Sequence, residues 1–191
     1  MRQLILASGS PRRKMLLEQL GLCDFVVRPA PGEELSAGDL PPAEAVLAIA
    51  LSKGRQVAAG ARPGELVLAA DTMVFLEGTL LGKPKDKEEA LSMLRRLSGQ
   101  RHTVYTGVVL ILDSREVTAV EATDVFFKPL REAEIRAYVE TGEPMDKAGA
   151  YGLQGRAAVF VRRIEGDMYN VIGLPLYRLA DMADEMGVRL F

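Results

Sequence analysis

Residues 4–13 read Leu-Ile-Leu-Ala-Ser-Gly-Ser-Pro-Arg-Arg, an apolar run followed by a turn and the start of a helix. The apolar run predicts a short buried strand over residues 3–7, because it closes at Ser8-Gly9. Ser10 followed by Pro11 predicts a helix N-terminus, with a hydroxyl at the N-cap and proline at the first helical position. A strand followed directly by a helix begins the alternation that is typical of an α/β fold.

Strand and helix patterns continue to alternate along the chain, with short connections. Apolar residues at helical spacing predict a helix over residues 43–58 and a final helix over 176–186. Strand patterns cover residues 25–27, 65–70, 73–76, 79–81, 103–113, 116–127 and 158–164. Two adjacent hairpins favour a mixed sheet over an all-parallel one. We therefore expect one domain over residues 1–191, with a mixed β-sheet flanked by helices.

Composition excludes several classes of protein. The chain has 191 residues, of which 48% are apolar and 26% charged, as expected for a globular protein rather than a disordered one. Its 24 basic and 26 acidic side chains leave a net charge of −2, which argues against a nucleic-acid or anionic-membrane partner. The apolar stretches are too short for a membrane span or a signal peptide, so we expect a cytoplasmic protein.

Cysteine and histidine usage limits the chemistry further. Cys23 is the sole cysteine, so no intrachain disulfide can form; we interpret it as a small core residue. His102 is the sole histidine, which excludes a metal site built from several imidazoles. We interpret His102 as structural or as a peripheral contact, because no nucleophile-elbow motif accompanies it. The P-loop and dinucleotide-binding glycine patterns are also absent.

The predicted N-terminus of the first helix carries basic residues where acidic ones would suit the helix dipole. Ser8, Ser10, Arg12, Arg13 and Lys14 fall at this terminus. Backbone N–H groups and arginine forks together could hold a polyphosphate. The alternative is a basic surface patch beside a capped helix, and the spacing does not decide between the two.

Two lysines and an aspartate are further candidates for chemistry. Lys53 falls on the apolar stripe of its helix, so its ammonium snorkels, pairs with a carboxylate or points into a cleft. Asp71 closes an apolar strand, where a carboxylate could hold Mg²⁺ or activate water, or merely cap the next turn. Lys83 follows a strand in a tight turn and is either a phosphate ligand or a solvated lysine.

These motifs, taken in order, resemble the Maf family of nucleotide pyrophosphatases. The resemblance covers the chain from Leu4 to Leu176 and beyond. It rests on Ser8-Gly9-Ser10-Pro11-Arg12-Arg13, Lys53, Ala70-Asp71-Thr72, Gly82-Lys83-Pro84, Leu97-Ser98-Gly99, Thr106-Gly107-Val108, residues 146–155 (Asp-Lys-Ala-Gly-Ala-Tyr-Gly-Leu-Gln-Gly) and residues 171–175 (Val-Ile-Gly-Leu-Pro). Each motif alone is weak, but the ordered set is specific.

The resemblance implies a fold related to the inosine-triphosphatase architecture, with two lobes around a cleft. It implies hydrolysis of a nucleoside triphosphate between the α and β phosphates, giving a monophosphate and pyrophosphate with a divalent metal. Mg²⁺ is the expected metal, with Mn²⁺ and Co²⁺ as alternatives. It also makes a homodimer plausible. The rival hypothesis is a regulator of septum formation that senses nucleotides without hydrolysing them.

The resemblance also implies roles for individual residues. Asp71 is the expected proton acceptor, and Asp71 and Glu34 are the expected metal ligands, with Glu33 as the alternative to Glu34. The expected phosphate-binding residues are Ser8, Ser10, Arg12, Arg13, Lys53 and Lys83. Arg12, Thr72 and Gln154 occupy the positions that separate two branches of the family. They are similar to the dTTP/UTP branch rather than the 7-methyl-GTP branch. A departure is Gly54, where alanine is usual; it should loosen its helix by ~1 kcal/mol.

Overall fold

The structure is a computed structural model that describes residues 3–32 and 38–190. These residues contain seven strands and six α-helices. The helices are α1 (Pro11–Gln19), α2 (Pro42–Ala58), α3 (Lys87–Leu97), α4 (Glu132–Glu140), α5 (Met168–Ile172) and α6 (Leu176–Glu185). The strands are β1 (Leu4–Leu6), β2 (Phe25–Val27), β3 (Leu66–Leu76), β4 (Thr79–Leu81), β5 (Arg101–Leu112), β6 (Arg115–Phe127) and β7 (Val161–Glu165). Short 3₁₀ turns cover Glu143–Asp146, Ala148–Ala150 and Arg156–Phe160.

The strands form one mixed sheet in the order β2-β1-β3-β5-β6-β7, with β4 paired to β3. β1 runs parallel to both β2 and β3, and Leu6 lies opposite Leu68 of β3. β4 and β7 pair antiparallel with β3 and β6. The predicted mixed sheet flanked by helices is therefore confirmed.

The chain divides into two compact units, each assembled from separate segments. Unit 1 comprises Met1–Asp71, Thr106–Glu121 and Gly173–Phe191. Unit 2 comprises Thr72–Tyr105 and Ala122–Ile172. The long strands β3, β5 and β6 each contribute residues to both units. Among the described helices, none combines the length and apolar character needed to cross a membrane.

The core of unit 1 forms where α2 packs on the sheet. Its buried residues come from β1 and the residue after it, and from α2, β3 and β5: Ile5, Ala7, Ala50, Val57, Val67, Ala69, Val109 and Ile111. A Cβ added at Gly107 would lie 2.8 Å from the Val46 carbonyl oxygen and 3.0 Å from the Leu47 Cα. The backbone of α2 therefore lies directly on β5, and the glycine of the Thr106-Gly107-Val108 motif makes this approach possible.

Gly54 contributes to the same close approach. A Cβ there would lie 3.2 Å from both the Ala69 Cβ and the Ile111 Cδ1. Glycine at position 54 is expected to weaken the helix, but it also lets α2 pack closely on the sheet. Lys53, the preceding residue, is carried to the sheet by this helix.

The core of unit 2 is built around α3, α4 and an aromatic cluster. Leu91, Leu94 and Leu97 of α3 and Ile135 and Val139 of α4 are buried in it. The rings of Phe127, Phe160, Tyr138, Tyr151 and His102 contact one another edge to face, with centroids 4.9–6.1 Å apart.

Several local predictions are wrong in detail. The strand expected to end at Asp71 continues as β3 to Leu76, so Asp71 lies within a strand and does not close it. Ser10 occupies the N-cap of α1, but its hydroxyl makes no capping hydrogen bond. Cys23 is exposed rather than in the core. β7 begins at Val161, since the preceding residues form a 3₁₀ turn.

Candidate active site

The turn between β1 and α1 is organised around the Ser8 hydroxyl. Its Oγ accepts a hydrogen bond from the Ser10 N–H at 3.2 Å and another from Arg13 Nη1 at 2.9 Å. Arg13 Nε donates to the Gly173 carbonyl at 2.8 Å, and the side chain is 9% exposed. A hydroxyl has two acceptor sites and one donor, so Ser8 can still donate its proton to an anion.

The first turn of α1 contains no acidic residue and carries Arg12, Arg13 and Lys14. Arg12 is half-buried, while Lys14 is exposed and lies 3.7 Å from Glu18 one turn later. Because Arg13 is buried and held by Ser8 and Gly173, this terminus is more than a solvated basic patch. The positive end of the helix dipole and a fixed guanidinium coincide there.

Lys53 and Asp71 form a close ion pair. Lys53 Nζ donates to Asp71 Oδ1 at 2.7 Å, and the two side chains are 21% and 12% exposed. Of the three alternatives for Lys53, the structure shows pairing with a carboxylate, and Asp71 accepts this hydrogen bond within β3 rather than capping a turn. The contact fixes the direction of the carboxylate, because it engages one of its two oxygens.

Parallel pairing brings the ion pair and the β1–α1 turn to the same end of unit 1. The Ala7 N–H donates to the Leu68 carbonyl at 2.8 Å, immediately before Ser8. Asp71 follows Leu68 by three positions along β3, or ~10 Å at the usual rise per residue. The Lys53–Asp71 pair thus lies further along β3 in the direction in which β1 runs into the arginine-rich turn.

The other predicted site residues belong to unit 2. Thr72 follows Asp71 along β3 and is half-buried, and Lys83 and Gln154 are exposed. The turn bearing Lys83 contacts the segment preceding Gln154, since the Gly149 N–H donates to the Gly82 carbonyl at 3.1 Å. Within unit 2, the structure therefore brings the turn of Lys83 next to the segment of residues 146–155, which contains Gln154.

His102 and Tyr151 form a buried polar contact in unit 2. His102 is 1% exposed, and its Nε2 lies 2.8 Å from the Tyr151 hydroxyl. Burial lowers the pKa of His102 to about 4, against a smaller opposite effect of Asp124. Burial also raises the pKa of Tyr151. Both groups are therefore neutral near pH 7, and the structural interpretation of His102 is confirmed.

The model of the family described as Maf-like protein matches residues 3–186. The chain belongs to this family. Several relatives are named dTTP/UTP pyrophosphatase, including proteins from Symbiobacterium thermophilum and Pelotomaculum thermopropionicum. The Symbiobacterium thermophilum protein is 52% identical over 191 residues, covering 100% of this chain and 97% of the relative. The Pelotomaculum thermopropionicum protein is 53% identical over 189 residues, covering 98% of each.

Among solved structures, a HAM1 protein from Coxiella burnetii resembles this Maf-like chain. The TM-score is 0.52 at 13% identity, and the match covers 97% of this chain and 100% of that one. At this identity the likeness concerns the fold alone. It agrees with the expected relation to the inosine-triphosphatase architecture.

Asp71 is the described candidate ligand for the metal expected in a Maf-like protein. Glu34 and its alternative Glu33 lie outside the described residues. Within residues 3–32 and 38–190, no three His, Cys, Asp or Glu side chains form a metal-binding group. Mg²⁺ is commonly held by one or two carboxylates together with substrate phosphates. The Asp71 carboxylate fits this mode, because it offers hard oxygen atoms close to the cations that would bind phosphates.

Several contacts of this Maf-like chain were not predicted from the sequence. The Gly173 carbonyl anchors Arg13 from a distance of 160 residues along the chain. A signal existed in the Gly173-Leu174-Pro175 motif, which was interpreted only as a turn. No sequence signal indicated the His102–Tyr151 contact, because a single histidine in a strand pattern does not show which residue it will contact.

The buried His102 predicts a specific loss of stability in acid. With a pKa of about 4 when folded and 6.5 when unfolded, the unfolded chain binds the proton first as pH falls. Stability is thus full above pH ~6.5 and decreases towards pH ~4, by about 2.5 kcal/mol at pH ~4.5. In urea unfolding at pH ~7 and pH ~4.5, the stability lost between the two pH values should be about 2.5 kcal/mol larger in the parent than in His102→Gln, which lacks the imidazole. Equal losses in the two proteins would contradict it.

Proposed function

We propose that this Maf-like protein hydrolyses dTTP and UTP to the nucleoside monophosphate and pyrophosphate. The observation that carries the proposal is the Lys53–Asp71 contact of 2.7 Å on β3, the strand that pairs with β1 before the arginine-rich turn. It combines a possible proton acceptor with cations for a triphosphate. The names of the relatives, about half identical to this chain over nearly its full length, support the same reaction and substrates.

The proposed phosphate ligands are the basic side chains and the hydroxyl groups beside them. The Arg13 guanidinium has five N–H donors, and Nε and Nη1 hold it in place. Fixed cations of this kind stabilise a polyphosphate without having to be ordered when it binds. The proposed phosphate-binding residues are Ser8, Ser10, Arg12, Arg13, Lys53 and Lys83.

Asp71 is the proposed proton acceptor. Lys53 holds its Oδ1, so Oδ2 is the oxygen that would take a proton from water. The water oxygen forms a bond to the α phosphorus, and the bond from that phosphorus to the bridging oxygen breaks. Pyrophosphate then leaves with the electron pair. When bound, Mg²⁺ would neutralise phosphate oxygens, with Asp71 and Glu34 as the proposed protein ligands.

Base selection is proposed for Arg12, Thr72 and Gln154. A glutamine amide both donates and accepts hydrogen bonds, which suits the imide edge shared by thymine and uracil. Gln154 is exposed, so it is available to a ligand. A cytosine or purine edge presents a different order of donors and acceptors. We therefore expect discrimination against CTP and purine triphosphates.

A nucleotide panel with Mg²⁺, scored separately for pyrophosphate and orthophosphate, tests the proposal. We expect pyrophosphate from dTTP and UTP at rates at least ~10-fold above those with CTP, ATP and GTP. The matched control is the same panel without a divalent metal.

Three outcomes would change the proposal in different ways. Pyrophosphate mainly from 7-methyl-GTP would keep the reaction but refute the assignment of Arg12, Thr72 and Gln154. Orthophosphate as the product would mean that a different bond is cleaved. Tight binding without any product would favour a nucleotide sensor.

A further inference from the structure

The segment that carries Gln154 is held at several points by the rest of unit 2. We name residues 147–156 the recognition loop. Lys147 Nζ donates to the Glu143 carbonyl at 2.7 Å, and the Gly149 N–H donates to the Gly82 carbonyl. These contacts and the buried Tyr151 fix the first half of the loop. The second half, which contains Gln154, needs another support.

The Glu143 carboxylate provides that support. Its Oε2 accepts a hydrogen bond from the Arg156 N–H at 3.2 Å, and its Oε1 accepts one from the Tyr138 hydroxyl at 3.0 Å. A Cβ added at Gly155 would lie 2.5 Å from the Glu143 Cδ, so the carboxylate lies flat against this glycine. The two residues that follow Gln154 therefore rest on one side chain.

The Tyr138 hydroxyl, which donates to the Glu143 carboxylate, keeps its proton over the working range of pH. Tyr138 is 3% exposed, and burial, reinforced by the charge of Glu143, raises the pKa of its hydroxyl. The hydroxyl stays protonated and remains a donor. Tyr138 belongs to α4, which buries Ile135, Tyr138 and Val139 in the core of unit 2, so the carboxylate is tied to a packed helix.

We propose that Glu143 is a positioning residue, which holds the backbone at Gly155 and Arg156 so that Gln154 presents its amide to the base of the substrate. This inference rests on the proposed role of Gln154. Its basis is geometric. The Glu143 carboxylate is held by Tyr138 of α4 and accepts a hydrogen bond from the Arg156 N–H, two residues after the exposed amide of Gln154. The hydrogen bonds of the Glu143 carboxylate go to Tyr138 and Arg156 rather than to Gln154, so the effect passes through the backbone.

Two substitutions at Glu143 separate its shape from its charge. Glu143→Ala removes both hydrogen bonds, and we expect KM for UTP to rise about tenfold with kcat changed less than about threefold. Glu143→Gln can accept from the Arg156 N–H and donate to a reversed Tyr138 hydroxyl, so it should restore KM to within about threefold. The matched control is Glu140→Ala, which removes an exposed ion pair with Lys87; its KM should match the parent.

A double-mutant cycle with Gln154→Ala gives the decisive measurement. If Glu143 acts through Gln154, adding Glu143→Ala to Gln154→Ala should raise KM by less than about threefold. Amide hydrogen exchange at Arg156 should be faster in Glu143→Ala and unchanged in Glu140→Ala. Should Glu143→Ala fail to fold, Glu143→Asp, which is one methylene shorter, takes its place in the cycle.

Three results would overturn the inference. KM effects that multiply in the double variant would show that Glu143 and Gln154 act independently. An unchanged KM in Glu143→Ala, with KM raised in Gln154→Ala, would remove Glu143 from positioning. A parent-like nucleotide preference in Gln154→Ala would instead refute base reading by Gln154, and the inference with it.

Discussion

Replacing Asp71 by asparagine is expected to lower kcat for dTTP at least ~100-fold, because the amide cannot accept the proton that water must lose. Lys53 can still donate to the amide oxygen in the position of Oδ1, where the present contact is 2.7 Å. The free energy of unfolding should therefore change by no more than about 1 kcal/mol. Steady-state kinetics together with a thermal melt measure both quantities on the same sample.

The matched control for Asp71 is another carboxylate of unit 1 that is bound to a cation. Glu116 accepts hydrogen bonds from Arg55 at 2.9 and 2.7 Å on the surface. Glu116→Gln should leave kcat within about twofold, since exposed pairs contribute little to stability and this one lies outside the proposed site. Turnover near that of the parent in Asp71→Asn would remove Asp71 from the mechanism.

Of the proposed substitutions, Gly107→Ala should lower the free energy of unfolding most. The added Cβ would lie 2.8 Å from the Val46 carbonyl oxygen and 3.0 Å from the Leu47 N and Cα, all of them backbone atoms of α2. Because the helix must move away from β5, we expect the free energy of unfolding to fall by about 3 kcal/mol. That corresponds to a melting temperature lower by roughly 6–12 °C for a chain of this size.

Gly60→Ala is the control for the added methyl group. Its new Cβ would have one neighbour, the Val57 carbonyl oxygen at 3.9 Å, which is an ordinary contact. Its melting temperature should stay within ~2 °C of the parent. An equally stable Gly107→Ala protein would show that α2 and β5 do not need their close contact.

Local patterns in the sequence predicted much of unit 1. Residues 4–13 form the expected strand, turn and helix, and Lys53 lies on the inward side of α2 as its spacing indicates. The boundary at Asp71 was wrong, because a charged residue in an apolar strand usually marks its end. Here Lys53 compensates the charge, and β3 continues to Leu76.

Other contacts could not be predicted, because they join distant parts of the chain. The Ser8 hydroxyl was expected to take part in phosphate binding, but its fixed contact with Arg13 appears only once the turn is folded. His102 lies 49 residues from Tyr151, and no spacing rule connects them. Glu143 resembles any surface glutamate until the folded loop rests on it.

The contact between Arg13 and the Gly173 carbonyl has a consequence for the order of synthesis. The two residues are 160 positions apart, so Arg13 leaves the ribosome long before the group that holds it exists. At the usual elongation rate of ~5–20 residues per second, that interval lasts roughly 8–32 s. The contact between Arg13 and Gly173 therefore cannot form in a nascent chain until these 160 further residues have been synthesised.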